Sequence, residues 1–144
     1  MKMDQKKIIV LPCSGIGKAL GTLTRWTAFE LVENFRPETT RLFCLARLVV
    51  PDEEAKEILA THQFIAIDGC PKNCGTKNCE RNAGTILKSY SIAQYFRKNR
   101  DLKFNRKNVI DPGKNGEEFA RRCAASIAED LDNLLQNTPK EDQK

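Results

Sequence analysis

The chemistry available to this chain of 144 residues lies in its six cysteines, at positions 13, 44, 70, 74, 79 and 123. The most informative stretch is Asp68-Gly69-Cys70-Pro71-Lys72-Asn73-Cys74, which follows the apolar run Phe64-Ile65-Ala66-Ile67. Thiolates act as nucleophiles and as metal ligands. Pro71 suits the first position of a helix, where its missing N–H is no loss, and that placement makes Cys70 the N-cap. On such a helix Cys70 and Cys74, four positions apart, share one face. Two thiols so placed are half of a metal site or the core of a thiol-chemistry site, and the elements around them must supply the rest.

Phe64 to Asp68 has β-branched members and no alternation of polar positions, the pattern of a strand covered on both faces in a parallel sheet. Ile8-Ile9-Val10-Leu11 is a second such run, ending at Pro12-Cys13-Ser14-Gly15-Ile16-Gly17. Leu42-Phe43-Cys44-Leu45-Ala46 reads as another strand with a cysteine near its far end, and Thr85 to Tyr90 as a fourth. Between them, Thr22 to Phe35 is an amphipathic helix closed by Pro37, and Gly17 and Gly21 leave open whether residues 16–21 join it. Pro51 to Ala60 is a helix whose first turn holds Asp52-Glu53-Glu54, where the helix dipole favours acids. Residues 91–108 read as a short helix and a loop. Asn115 to Leu135 is a helix with Phe119, Cys123, Ile127 and Leu131 on one apolar stripe. Polar tails are expected at 1–7 and 137–144. This alternation predicts a single α/β domain, a mostly parallel sheet with flanking helices in a Rossmann-like three-layer arrangement.

That topology gathers the cysteines. The carboxyl ends of parallel strands lie on one edge, where ligands collect in such folds. Cys13, Cys44 and Cys70 each follow or end a strand, and Cys74 is one helical turn from Cys70, so four sulfurs can converge there. Cys79, nine positions beyond Cys70 at about 100° per residue, points away on an unbroken helix. Cys123 belongs to the apolar stripe of the last helix and reads as a small buried hydrophobe.

These residues resemble a known family. Leu11-Pro12-Cys13-Ser14-Gly15-Ile16-Gly17-Lys18, a cysteine in the second strand of the order, Asp68-Gly69-Cys70 and the following Cys74 look like the DGC domain, named for its tripeptide and described as zinc-binding. The resemblance spans roughly Ile8 to Leu135. It implies ligands at Cys13, Cys44, Cys70 and Cys74, leaves Cys79 and Cys123 outside the pattern, and carries no established reaction.

Zinc held by four cysteines is tetrahedral and has no open position, so such a site does not activate water. Its formal charge of minus two would be offset by the N-terminus of the Cys70 helix and by Lys18, Lys72 and Lys77, with Asp68 bonding backbone N–H groups of the turn rather than the metal. An iron–sulfur cluster could use the same ligands, although Cys70, Cys74 and Cys79 do not follow the familiar cluster spacings. Without a metal, Cys13 and Cys70 would be low-pKa thiols at helix N-termini, suited to persulfide transfer, disulfide exchange or redox sensing.

Other motifs are poorer. Gly15-Ile16-Gly17-Lys18 lacks the leading glycine of a phosphate loop and has Ala19 where Ser or Thr is required. Ala19 also stands where a cysteine phosphatase needs its arginine. His62, the only histidine, falls at the amino end of the central strand, away from the cysteines, and Trp26 occupies a helical core position. A net charge of +5 concentrates between Arg97 and Lys107, but no nucleic-acid-binding motif accompanies it, and a solvated basic loop is the simpler reading. The apolar run after Met1 is too short for a signal peptide or a membrane span, so a cytoplasmic chain with reduced thiols is expected. The function expected from the sequence is that of a metal-binding protein, with zinc as the ion and thiol chemistry at the same cysteines as the alternative.

Overall fold

A computed structural model describes residues 6–82 and 84–137; of the polar tails expected at 1–7 and 137–144, residues 1–5 and 138–144 lie outside the described residues, and Asn137 ends the last helix. The elements follow in order as strand β1 (Ile8–Pro12), helix α1 (Ala19–Glu30), β2 (Thr40–Leu42), α2 (Ala46–Val49), α3 (Glu53–Thr61), β3 (Gln63–Asp68), α4 (Cys74–Arg81), β4 (Thr85–Ser91) and α5 (Gly113–Asn137). The four strands form one parallel sheet in the order β2-β1-β3-β4.

Side chains alternate from face to face along the strands. Ile8, Val10, Ile65 and Ile67 join a core built with α1 and α5, whereas Ile9, Leu11 and Phe64 join one built with α2, α3 and α4. The sheet is thus covered on both sides, which is why its central strands are continuous apolar runs and the three-layer α/β expectation holds. In α5 the stripe of Phe119, Cys123, Ile127 and Leu131 is fully buried.

Several boundaries differ from the sequence-based expectation or settle what it leaves open. The strand expected over 42–46 is Thr40–Leu42. Phe43 N–H adds one ladder bond to Val10 O (3.1 Å), and then Cys44 and Leu45 carbonyls accept from Arg47 and Leu48 N–H groups at 3.1 Å, winding the chain into α2. Cys44 therefore sits in the loop beyond the strand. Helix α1 starts at Ala19 and includes Gly21, because Gly21 lies against Gly15: a Cβ at Gly21 would stand 2.0 Å from Gly15 O. The glycine that weakens helix propensity is required by that approach. The helix then closes in a π turn over Leu31–Phe35, with Arg36 N–H bonded to Leu31 O at 2.7 Å. Residues 91–108 form two short 3-10 turns, Ile92–Tyr95 and Arg97–Asn99, and a loop.

Helix α5 is tied to the rest by polar contacts at its carboxyl half. Arg36 grips Asp132 with Nε–Oδ1 at 2.9 Å and a second contact at 2.5 Å, and Asp130 accepts from Lys88 and from the Tyr90 hydroxyl, both at 2.6 Å. The Arg36 hydrogen bonds hold the Asp132 carboxyl below its usual value, so its contribution is present above the ordinary carboxylate range and is lost as pH falls through the lowered value. Asp132→Asn is expected to cost about 0.5–1 kcal/mol at pH 7, the low figure reflecting solvent screening of a half-exposed pair. The difference in urea midpoint between wild type and variant should shrink steadily as pH falls below the ordinary carboxylate range, and a difference that does not change with pH there would mean the carboxylate is not responsible.

Candidate metal centre

The parallel sheet places the carboxyl ends of β2, β1 and β3 side by side, so the loops carrying Cys44, Cys13 and Cys70 leave from neighbouring strands on one edge. From β1 the chain passes to β2 on one side and later to β3 on the other. The loop after β1 leads to α1 on one face, and the loop after β3 leads to α4 on the opposite face. Such a reversal of direction opens a crevice at the strand ends, and Cys13 and Cys70 flank it.

Cys13 is the anchored member. Its N–H bonds Ile67 O at 2.8 Å, continuing the β1–β3 ladder, and its side chain is buried at 6 % exposure. Burial pushes its thiol up, and the nearby charges of Asp68 and Cys70 push the same way, while hydrogen bonds from Gly69 N–H and the Thr24 hydroxyl pull it down. The net rise corrects the expectation of a low-pKa Cys13 thiol: the sulfur lies in the packed crevice, and burial outweighs the donors around it. The residues that accommodate it are Thr24 and Gly69. A Cβ at Gly69 would lie 2.7 Å from Thr24 Oγ1 and 2.9 Å from Leu20 O, so the middle position of the Asp-Gly-Cys tripeptide must be glycine for α1 to lie this close. Nothing in the local sequence around Thr24 signals that contact, which depends on where α1 docks.

The approach to the second cysteine pair is also different from expectation. Helix α4 begins at Cys74, not at Pro71, because Asn73 adopts a left-handed conformation (φ 51°) and its N–H closes a turn onto Cys70 O at 3.2 Å. Cys70 is thus a turn residue, half-buried, and is not on a helix face with Cys74. The cap comes from Asp68 at the end of β3. Its Oδ1 accepts from Gly75 N–H at 2.7 Å, and its Oδ2 accepts from Thr76 N–H at 3.2 Å and from the Thr76 hydroxyl at 2.7 Å. A carboxylate at a helix N-terminus satisfies orphan donors and meets the positive end of the dipole. It does so here at 1 % exposure, with a Cβ at Gly75 reaching to 2.9 Å from its oxygen. Asp68 therefore bonds backbone N–H groups, as the sequence reading expects of it.

Cys44 and Cys74 are exposed. Among the described residues no group of three or more His, Cys, Asp or Glu side chains is placed to hold a metal ion. The structure brings Cys13 and Cys70 together and leaves Cys44 and Cys74 on the same edge without joining them. The donor set suits zinc in its chemistry, all sulfur and all on loops or a helix start, but in the arrangement described it is not closed.

The remaining candidates fall elsewhere. Lys18 is the extended residue before α1, with its N–H on Gly15 O at 3.2 Å and its side chain exposed. Cys79 is buried in the core under α3, its thiol pushed up to about 11 by that burial. With α4 starting at Cys74, the phase argument for Cys79 runs over five positions instead of nine. Five steps of about 100° still turn it well away from Cys74. Cys123, in the α5 stripe, is pushed up to about 12 by burial. His62 precedes β3 at the amino edge, opposite the cysteines, with Nδ1 2.8 Å from the Thr61 hydroxyl. Trp26 packs partly buried against the α1–α5 core.

Asp68→Asn tests the cap. An amide can present only one oxygen to the Gly75 and Thr76 donors and turns an NH2 toward another donor, so a loss of about 1–3 kcal/mol is expected in urea unfolding. An unchanged midpoint would show that α4 does not depend on this carboxylate.

No curated protein and no solved structure matches the chain. The family model of the DGC domain matches residues 9–112, which contain the sheet apart from Ile8 and every cysteine of the carboxyl edge. With most of its length matched, and with Asp68, Gly69 and Cys70 each given a structural task, the chain belongs to the DGC domain family.

Proposed function

We propose that the chain is a metal-binding protein that holds one zinc ion through Cys13, Cys44, Cys70 and Cys74 in a reducing compartment such as the cytoplasm. The observation that carries this reading is that three cysteines follow three adjacent parallel strands, with the fourth at the first residue of α4, so that four thiols leave from one edge of the sheet. Cys13 and Cys70 form the fixed half. Cys44 and Cys74 are exposed at the ends of their elements and form the half that would close over the ion. A closed four-thiolate site supplies stability or a reporting function and not water activation. Among the described residues no helix is long and apolar enough to cross a membrane.

A second reading has its own support. Cys70 lies near enough to Cys13 for its charge to raise that thiol, and among the described residues no third ligand joins them. In thiol exchange Cys70, the more accessible, would attack a substrate disulfide and Cys13 would displace it, the protein dithiol becoming a disulfide and the substrate two thiols.

Elemental analysis of protein purified without added metal or reductant separates the two. The proposal expects about one zinc per chain, with four thiols becoming reactive only after a strong chelator, and at least about 10-fold weaker binding in Cys44→Ser or Cys74→Ser. Metal-free protein in which Cys70 is reactive from the start, and in which Cys44→Ser changes nothing, contradicts it and supports the thiol reading.

A further inference from the structure

A groove lies away from the cysteines, in the segment between β4 and α5. It encloses about 530 Å³ and is ringed by Arg97, Arg100, Lys103 and Arg106. Elsewhere Arg36, Arg41, Arg47, Arg121 and Arg122 each reach a carboxylate. Among the described residues the four cations of the groove reach none. Of the two acids in the segment, Asp101 is taken by Arg122 from α5 at 3.1 Å and Asp111 accepts from Gly113 N–H at 2.9 Å. Three arginines and a lysine around one concavity, none paired with a carboxylate among the described residues, form a concentrated positive field that costs self-repulsion unless an anion fills it.

The groove has an apolar side as well. Phe96, Leu102 and Phe104 line it, backed by Phe119 of α5, whose ring stacks on Phe96 at 5.1 Å. The Arg106 guanidinium lies over Phe96 at 5.0 Å and over Phe104 at 5.7 Å, which holds its planar fork in place instead of leaving it free in solvent. Asn99 is engaged on both sides, donating to Tyr95 O at 2.8 Å and accepting from Arg122 at 3.1 Å, so the wall that bears Arg97 and Arg100 is braced.

We propose that this groove binds a compact organic phosphate, its phosphoryl oxygens taken by Arg97, Arg100 and Lys103 and its apolar or planar part set against Phe96, Leu102 and Phe104. Arginine matches phosphate with two parallel N–H donors, and the volume falls within the usual small-ligand range of about 300–1,000 Å³. An extended nucleic-acid strand fits less well. Base stacking needs several free ring faces in series, and the groove offers two aromatic side chains, Phe96 and Phe104, each already in contact with Phe119.

Isothermal titration with ADP, pyrophosphate and a single-stranded oligonucleotide tests this. The expected result is one saturable ADP site per chain with Kd below about 1 mM, weaker binding of pyrophosphate, and at least about 10-fold loss in Arg100→Gln/Lys103→Gln. A charge-matched control on the opposite face, Lys56→Gln/Arg81→Gln, should bind as wild type. Any of four results overturns the proposal: no saturable binding of ADP, equal loss in the control, pyrophosphate binding as tightly as ADP, or oligonucleotide affinity that rises with strand length. The substitutions are on exposed side chains, and an unchanged thermal midpoint confirms that each variant is folded.

Discussion

The geometry of the cysteine edge depends on one buried carboxylate. Asp68 ends the central strand and, by accepting from Gly75 and Thr76, fixes where α4 begins and how its first turn meets the sheet. Charge-assisted bonds of this kind contribute more than neutral ones, about 1.5–3 kcal/mol each in favourable settings, and removing the acceptor would strand buried helix donors. Everything between the carboxylate and its donors is held in a short turn. Gly69 sits beneath α1, Cys70 half-emerges beside Cys13, and Asn73 reverses into the left-handed region to reach the helix. The Asp-Gly-Cys tripeptide is therefore three tasks in a row: a cap, a close approach and a thiol.

The opposite wall of the crevice rests on a second close approach. Gly15 and Gly21 touch backbone to backbone, which folds the loop after Cys13 against the first turns of α1. Arg25 reaches from that helix to the Ser14 carbonyl, and Thr22 reaches to the carbonyl of Val109. The loop that bears Cys13 is thus anchored from both ends. The loop that bears Cys44 and the first turn of α4, which bears Cys74, leave both cysteines exposed. This division between a fixed pair and an exposed pair is the physical content of the proposed metal site, since an ion that joins them must be strong enough to order the exposed half.

Much of this could be read from residue order. The runs Ile8 to Leu11 and Phe64 to Asp68 lack polar alternation because both faces of the sheet are covered, and that property shows directly in sequence. The stripe of α5 was legible for the same reason, as a local period. What local patterns could not convey were interactions through space. Asp68 caps residues seven and eight positions away, so Pro71 looked like a helix start although the helix waits for Cys74. Gly21 looked like a breaker although it is a contact. The mostly apolar stretch from Leu42 to Val50 serves a strand end, a short helix with Leu48 buried, and an exposed pair, Val49 and Val50, so its composition does not say where the strand stops. Cys13, expected to be acidic at a helix N-terminus, is instead made less acidic by burial in the crevice.

The most direct test of the central claim is X-ray absorption at the zinc edge of the loaded protein. Four thiolates at the carboxyl edge predict a single shell of about four sulfur atoms near 2.3 Å, reduced by one in Cys44→Ser. A shell dominated by oxygen or nitrogen near 2.0–2.1 Å, unchanged by that substitution, would contradict a zinc site built from Cys13, Cys44, Cys70 and Cys74.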